Sequence, residues 1–291
     1  MLRPLLVLFL FALGLRAAEL VRIDACELVP TDWADGDSFL VRTPDGQEHT
    51  VRLYGADCIE WHIGDESDAR RLRAQRRYFG ISDHGGSAQA SIDAAKSFGE
   101  KAAERRTELL GKPFTLITSF ADARGDGRHK RIYGFVRTSS GDDLATVLVR
   151  EGLARAFGVY RQTPEGLSKD DWQQELADHE LAAASRRLGV WKLTDWEKLP
   201  AERRAEREDL AQLRGAIDDA AEPEAESIDL NQAARDELMR LPGIGEKTAN
   251  AIIEHREEKP FTTIDELDEI PGIGPATLER IRPFLTVSRE P

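Results

Sequence analysis

The sequence predicts a five-stranded β-barrel with three helices, followed by a small all-α domain. Apolar or alternating stretches bounded by turn residues predict five strands, over residues 21–29, 38–42, 49–55, 114–119 and 131–138. Amphipathic stretches that each end at a glycine predict three helices, over residues 92–110, 143–151 and 169–188. Five strands and three helices in this order match a barrel of the OB-fold type.

Length and local composition divide the 291 residues into four parts. Residues 1–18 combine Arg3, an apolar run from Leu5 to Leu15 and the small pair Ala17-Ala18, which is the pattern of a secretory signal peptide. An uncleaved anchor is the alternative. Residues 19–195 are expected to form the barrel domain, residues 196–225 a charged and partly helical linker, and residues 226–291 the helical domain.

The charge balance does not favour a protein that binds nucleic acid over its whole surface. The net charge is −13 at pH 7. It is uneven, because residues 1–195 carry a net charge of −3 whereas residues 226–291 carry 14 acidic and 8 basic residues. The barrel domain is therefore nearly neutral, and the C-terminal domain is distinctly acidic.

Strands two and three read as a hairpin with charged residues at its ends. Residues 43–46, Thr-Pro-Asp-Gly, supply the turn chemistry between them. Asp37 precedes the second strand and Asp57 follows the third, so antiparallel pairing brings the two carboxylates close together. Glu60 follows three residues later, and Arg52 points from the third strand beside them.

These residue types suit phosphodiester chemistry. Two carboxylates without nearby histidine or cysteine pairs favour a hard cation such as Ca²⁺. A third carboxylate can activate water, and an arginine matches a pair of phosphate oxygens. For any one residue alone, a turn or an exposed strand position is the better explanation, but it does not explain all of these residues together in this order.

The segments Asp35-Gly36-Asp37-Ser38, Arg52-Leu53 and Asp57-Cys58-Ile59-Glu60 resemble the motifs of the thermonuclease, or staphylococcal-nuclease-like, family. The resemblance covers about residues 20–192. It implies that Asp37, Asp57 and the backbone carbonyl of Cys58 hold Ca²⁺, that Glu60 is the general base and that Arg52 binds the scissile phosphate. Ile59 stands where the family has proline, which puts the geometry of the loop that carries Glu60 in question.

The same resemblance assigns two further positions. Arg131 matches the family arginine that opens the fifth strand and faces the phosphate, and Arg128 is the alternative. Of two family tyrosines near the nucleotide, one position is Tyr160 and the other is Gly158, which cannot stack on a base. Tyr160 is therefore a predicted substrate-binding residue.

Two features of the barrel domain remain open. Residues 64–91 contain five arginines beside Tyr78 and Phe79, which suit either a nucleic-acid strand or a solvated helix paired with its own acids. Cys26 and Cys58 are the only cysteines. Export would permit a bridge between them, with two free thiols as the alternative.

Residues 227–286 contain an internal repeat, because the sequence around Pro242-Gly243-Ile244-Gly245 recurs 29 residues later around Pro271-Gly272-Ile273-Gly274. Each copy joins two short helices, and Asn231 and Thr263 are expected as N-caps, Thr263 in a capping box with Glu266. The repeat resembles the tandem helix-hairpin-helix domain of bacterial competence DNA receptors. That resemblance implies DNA binding through backbone N–H groups of Gly243, Ile244, Gly245, Gly272, Ile273 and Gly274, with Lys247 as the nearest cation.

The sequence thus predicts an exported Ca²⁺-dependent endonuclease that hydrolyses DNA or RNA and is tethered to DNA by its C-terminal domain. It is expected in the periplasm or outside the cell, with nucleic acid as its partner, no small-molecule cofactor, and no membrane association once the signal is removed. Two alternatives stay open: a weak or inactive nuclease fold that only binds nucleic acid, and a nuclease whose acidic tail binds a protein.

Overall fold

The computed structural model describes residues 19–64, 66–123, 130–219 and 227–288, and its barrel confirms the predicted fold class. The strands of the first domain are β1 (Val21–Val29), β2 (Ser38–Arg42), β3 (Glu48–Leu53), β4 (Ala56–Cys58), β5 (Phe114–Thr118), β6 (Arg131–Arg137) and β7 (Ala154–Ala156). Five of them close in the order β1-β2-β3-β6-β5. The closure is not regular, because β1 has a bulge between Ile23 and Cys26 where it crosses from β2 to β5.

The two shortest strands of the first domain, β4 and β7, form a separate antiparallel pair that the sequence did not predict. In this pair Asp57 lies directly opposite Arg155. Each strand has only three residues, too few to show an alternating pattern.

Five helices surround the barrel: α1 (Glu66–Tyr78), α2 (Ala88–Leu109), α3 (Leu144–Arg150), α4 (Lys169–Ser185) and α5 (Leu199–Asp219). The second, third and fourth are the expected helices. Each begins at a side-chain cap, from Ser87, Asp143 and Ser168 respectively. The cap at Ser87 is why α2 starts four residues before the predicted Ile92.

In helix α1, Arg71 pairs with Asp68 of the same helix, as the second interpretation of the arginine cluster expects, whereas Arg73 and Arg77 pair with acids of another helix. Arg77 pairs with Glu206 at 2.7 Å and with Asp209 at 2.6 Å, and Arg73 also pairs with Asp209. Both acids belong to α5. Of residues 196–225, predicted as a partly helical linker, Leu199–Asp219 form α5, a helix of 21 residues that is held against α1 by ion pairs, and residues 220–225 lie outside the described residues.

The C-terminal domain consists of β8 (Ile228–Asp229), α6 (Arg235–Leu238), α7 (Glu246–Glu258), the 3₁₀ helix Ile264–Glu269, α8 (Pro275–Ile281) and β9 (Leu285–Thr286). The repeat packs as two hairpins that contact each other. Thr263 is the N-cap residue of the 3₁₀ helix, as predicted, but its side chain makes no cap bond, and Glu266 accepts the N–H of Thr262. Asn231 is not a cap; it bonds instead to Phe261 and Ser288.

Cys26 and Cys58 are both buried free thiols, so the alternative without a bridge holds. Residues 1–18, the predicted signal peptide, lie outside the described residues. Across the described part of the chain, no helix has the length and apolar character needed to cross a membrane.

Helix α2 approaches the loop that carries Glu60 at a glycine. A Cβ placed on Gly99 would lie 2.4 Å from the carbonyl oxygen of Ile59 and 2.8 Å from the Cβ of Trp61. This close approach, together with the complete burial of Ile59, fixes the loop in place of the family proline.

We expect Gly99→Ala to lower the free energy of unfolding by about 1–3 kcal/mol, because the added methyl meets backbone. In an exposed helix the same change would raise it by about 1 kcal/mol. Urea denaturation measures the difference. Gly111→Ala is the control, since a Cβ there comes no nearer than 3.4 Å to another atom. Equal midpoints for the two variants would contradict the close approach.

Candidate active site

The structure brings Asp37 and Asp57 to the same arginine. Ser38 pairs with Arg52 across β2 and β3, which sets Arg52 beside Asp37. The guanidinium lies 3.0 Å from Asp57 Oδ1 and 3.6 Å from Asp37 Oδ1. All three side chains are buried, and Asp57 is only 1% exposed. The predicted convergence of the two ends of the hairpin therefore exists, with Arg52 between them.

Asp57 is surrounded by donors from three separate parts of the chain. Its Oδ2 accepts from Arg155 Nε at 2.7 Å and from Gln75 Nε2 at 2.9 Å, while Arg52 donates to its Oδ1. Burial alone would raise the pKa of Asp57, but Arg155 and Arg52 outweigh it and hold the pKa well below its usual value. This carboxylate is therefore ionised and fully bonded.

Gln75 also fixes the chain on either side of Ile59. Its Nε2 donates to the carbonyl of Cys58 at 2.7 Å, and its Oε1 accepts the N–H of Glu60 at 2.9 Å. The N–H of Cys58 donates to Asp37 Oδ2 at 2.7 Å. Burial raises the pKa of the Cys58 thiol well above its usual value. Residue 58 thus contributes its backbone to the site, and its side chain stays an inert thiol.

Glu60 lies at the edge of this cluster and is nearly buried. Its Oε1 lies 3.0 Å from Arg71 Nε. Burial, together with the neighbouring Asp37 and Asp57, raises the pKa of Glu60 to about 7 although Arg71 and Arg52 oppose the rise. A carboxylate with a pKa near neutrality is well matched to taking a proton from water.

Asp35 is also part of the cluster. Burial, followed by repulsion from Asp37 and Glu60, raises the pKa of Asp35 well above its usual value. Arg131 opens β6 beside Thr50, and its charge is among those that oppose this rise, so it lies within electrostatic range of Asp35. Arg128, the alternative to Arg131, lies outside the described residues.

Tyr160 is placed differently from a residue that offers its ring to a nucleotide. It is 4% exposed, and its ring packs edge-on against Trp172 at a centroid distance of 5.5 Å. Its backbone N–H instead donates to Glu254 Oε1 of α7 at 3.0 Å. In this conformation Tyr160 presents only its backbone.

Sequence reasoning missed Gln75, Arg71 and Arg155 as members of the site. Arg71 and Gln75 are four residues apart on α1 and therefore share one face of that helix. Arg155 could have been found only by pairing β7 with β4, which sets it opposite Asp57. The one available signal was a glutamine at helical spacing from an arginine within a charged helix.

The predicted calcium ligands match the ion in type but not in arrangement. Both oxygens of Asp57 and the carbonyl of Cys58 already accept bonds from Arg52, Arg155 and Gln75. Asp37 accepts from the Ser38 hydroxyl and the Cys58 N–H. Within the described residues no group of three acidic, histidine or cysteine side chains is arranged to hold a metal ion. A cation at these oxygens would first have to displace Gln75 and Arg155.

The hairpins of the C-terminal domain have the backbone geometry that their sequence predicts. Gly243 and Gly272 have φ of 85° and 96°, and Gly245 and Gly274 are the N-cap residues of α7 and α8. Ile244 and Ile273 are buried, and their N–H groups donate to the carbonyls of Leu241 at 3.1 Å and Ile270 at 3.0 Å, so in this conformation they anchor the hairpins and do not offer the N–H groups predicted to bind phosphate. Lys247 is exposed. A Cβ on Gly243 would lie 2.5 Å from Arg280 Nη2, which identifies a second cation at the first hairpin.

Comparison with known proteins finds two family matches. Residues 50–193 match the model described as staphylococcal nuclease homologue, and residues 223–286 match the helix-hairpin-helix motif. The first match begins after Asp37, so the assignment of that residue comes from its motif and its contacts.

Curated relatives match over short segments. A deoxyribonuclease of Thioalkalivibrio sp. (strain K90mix) is 42% identical over 66 residues, which cover 23% of this chain and 18% of that protein. ComE operon protein 1 of Bacillus subtilis (strain 168) is 38% identical over 61 residues, which cover 21% of this chain and 30% of that protein. Endonuclease/exonuclease/phosphatase family domain-containing protein 1 of Xenopus laevis is 36% identical over 64 residues, covering 22% and 12%. The matched segments therefore span less than a third of each of these relatives.

Proposed function

We propose that this chain is an endonuclease that hydrolyses phosphodiester bonds of DNA or RNA. Residues 50–193 match the staphylococcal nuclease homologues, and residues 223–286 match the helix-hairpin-helix motif. The observation that carries the proposal is the meeting of Asp37, Arg52 and Asp57 next to Glu60, at the family positions. Export to the periplasm or the cell exterior is part of the proposal and is supported by the pattern of residues 1–18.

Glu60 is the general base in this proposal. Its pKa of about 7 leaves a large fraction ionised at neutral pH, while the proton it takes is held well enough to be passed on. Arg71 holds Glu60 in the described arrangement and has to yield to substrate or water for the base to act. Arg52 and Arg131 carry charge that can stabilise the additional negative charge of a pentacovalent phosphorus.

We expect Glu60→Gln to lower kcat by a factor on the order of 10²–10⁴, because the amide cannot accept a proton from water. Cleavage of a labelled oligonucleotide measures the change, with circular dichroism as a check on folding. The matched control is Glu104→Gln, an exposed glutamate of α2. A kcat within about two-fold of the parent for Glu60→Gln would remove Glu60 from the role of base.

The carboxylates of the candidate site already have protein partners, which favours one alternative function. In this alternative the nuclease fold binds nucleic acid without cutting it. Gln75, Arg71 and Arg155 bond to the carboxylates that catalysis needs. The same oligonucleotide assay separates the two functions. Binding without cleavage by the unaltered protein, with or without Ca²⁺, establishes the binding module and overturns the nuclease.

Calcium dependence is supported by the family resemblance and by the oxygen-only ligand types. We expect cleavage to stop in excess EDTA and to return when Ca²⁺ is added back. Asp57→Asn should raise the Ca²⁺ concentration that gives half-maximal activity, since it removes one negative charge from the ligand set. Full activity in EDTA would overturn the metal assignment. It would mean that the guanidinium groups of Arg52 and Arg155, which are already bonded to Asp57, supply the positive charge that cleavage needs.

The C-terminal domain is proposed to tether the chain to duplex DNA. If the exposed Lys247 contacts a phosphate beside the first hairpin, Lys247→Gln should weaken binding of long duplex DNA several-fold. It should also reduce the slope of log K against log salt by about one. Lys112→Gln, an exposed lysine of the barrel domain, is the control. Unchanged binding and slope for Lys247→Gln would favour a protein partner for the tail.

A further inference from the structure

The C-terminal domain lies against the barrel domain through the acidic face of α7. Glu254 accepts the N–H of Tyr160 at 3.0 Å and lies 3.3 Å from Lys169 Nζ. Glu257 accepts from the Tyr54 hydroxyl at 2.9 Å and lies 3.7 Å from Arg161. One helix therefore places two carboxylates, about one turn apart, on polar groups of the barrel surface.

The barrel groups under α7 are donors. We call the set of Arg155, Arg161, Lys169, the Tyr54 hydroxyl and the Tyr160 N–H the donor row. Charged donors with a backbone N–H and a hydroxyl among them are the partners that phosphate oxygens find in protein–nucleic acid contacts. A carboxylate has the same charge sign and accepts the same bonds, so α7 occupies the donor row as phosphates would.

The donor row begins at the candidate active site. Arg155 bonds to Asp57 through Nε, and its Nη2 lies 3.8 Å from Glu246 at the start of α7. Glu246 also lies 3.4 Å from Arg235 of its own domain. A nucleic acid strand that ran along the donor row would therefore pass the carboxylates proposed to act on it.

The contact with α7 excludes solvent. The side chain of Glu257 is 5% exposed, and those of Arg155 and Arg161 are 7% and 10% exposed. Burial raises the pKa of Glu257 to about 7 although Tyr54 and Arg161 oppose the rise. Ions this well buried are not available to substrate while α7 stays in place.

We propose that the barrel domain binds the phosphodiester backbone of its substrate along the donor row, and that α7 covers this row as an internal competitor. The inference rests on the proposed nuclease function. It makes the described arrangement the self-inhibited state of the chain. Duplex DNA held at the first hairpin opposes this state, because its phosphates come next to Glu246, one residue after Gly245, and repel it.

The test compares full-length variants by their affinity for a short fluorescent single-stranded oligonucleotide, measured by anisotropy. Glu254→Ala/Glu257→Ala removes the contacts of α7 with the Tyr160 N–H and the Tyr54 hydroxyl. The fraction of molecules in which α7 has left the donor row should therefore rise, and the dissociation constant should fall by about five-fold or more. Glu100→Ala/Glu104→Ala removes the same charge from exposed positions of α2 and should leave the affinity unchanged. Small-angle scattering should show a larger radius of gyration for the α7 variant only.

A third variant locates the binding site. Adding Lys169→Gln to the α7 variant removes one member of the donor row and should cancel a large part of the gain in affinity. Equal affinity of the α7 variant and its control overturns the inference, whether or not the chain cuts. So does a gain that Lys169→Gln leaves untouched. A gain in affinity without cleavage by any variant overturns the nuclease proposal and leaves the donor row in place.

Discussion

The arrangement of the first domain depends on one buried ionised carboxylate, that of Asp57. A charge taken out of water costs several kcal/mol unless its oxygens are bonded. Its donors Arg52, Arg155 and Gln75 belong to β3, β7 and α1. The barrel hairpin, the short strand pair and helix α1 must therefore converge at one point, which is the point where the chemistry is expected.

Because α1 supplies Gln75 and Arg71, the site is coupled to parts of the chain that the motif does not include. The same helix pairs through Arg77 with α5, and Arg155 reaches Glu246 of α7. Loss of the Arg77 pair would affect helix α1, which carries the Gln75 and Arg71 donors to Asp57 and Glu60. Loss of the Glu246 contact would affect Arg155, which donates to Asp57. Helix α1 contacts the carboxylates directly, and the C-terminal domain reaches Asp57 through Arg155.

The sequence was informative where structure is decided locally. Alternation and turn residues predicted the barrel strands, and antiparallel pairing predicted that Asp37 and Asp57 meet. Helix α1 was not predicted because its buried face includes Gln75 and Arg76, so its sequence has no apolar residues at helical spacing. Arg155 was not recognised as a site residue because β7, the strand that carries it, has only three residues and therefore shows no alternating pattern. The packing of α5 rests on ion pairs with α1, and single charges on a helix do not indicate their partners.

The C-terminal domain is acidic, but Glu254 and Glu257 of α7, which contact the barrel domain, do not face the DNA proposed to bind at the hairpins. A net charge describes a whole domain, whereas a nucleic acid meets one face of it. Glu246, Glu254 and Glu257 point toward the barrel domain and have partners there. The first hairpin presents Lys247 and the guanidinium of Arg280 beside Gly243. Part of the negative charge of the domain therefore serves the contact between the two domains. The net charge of the domain does not describe the surface that the hairpins offer to DNA.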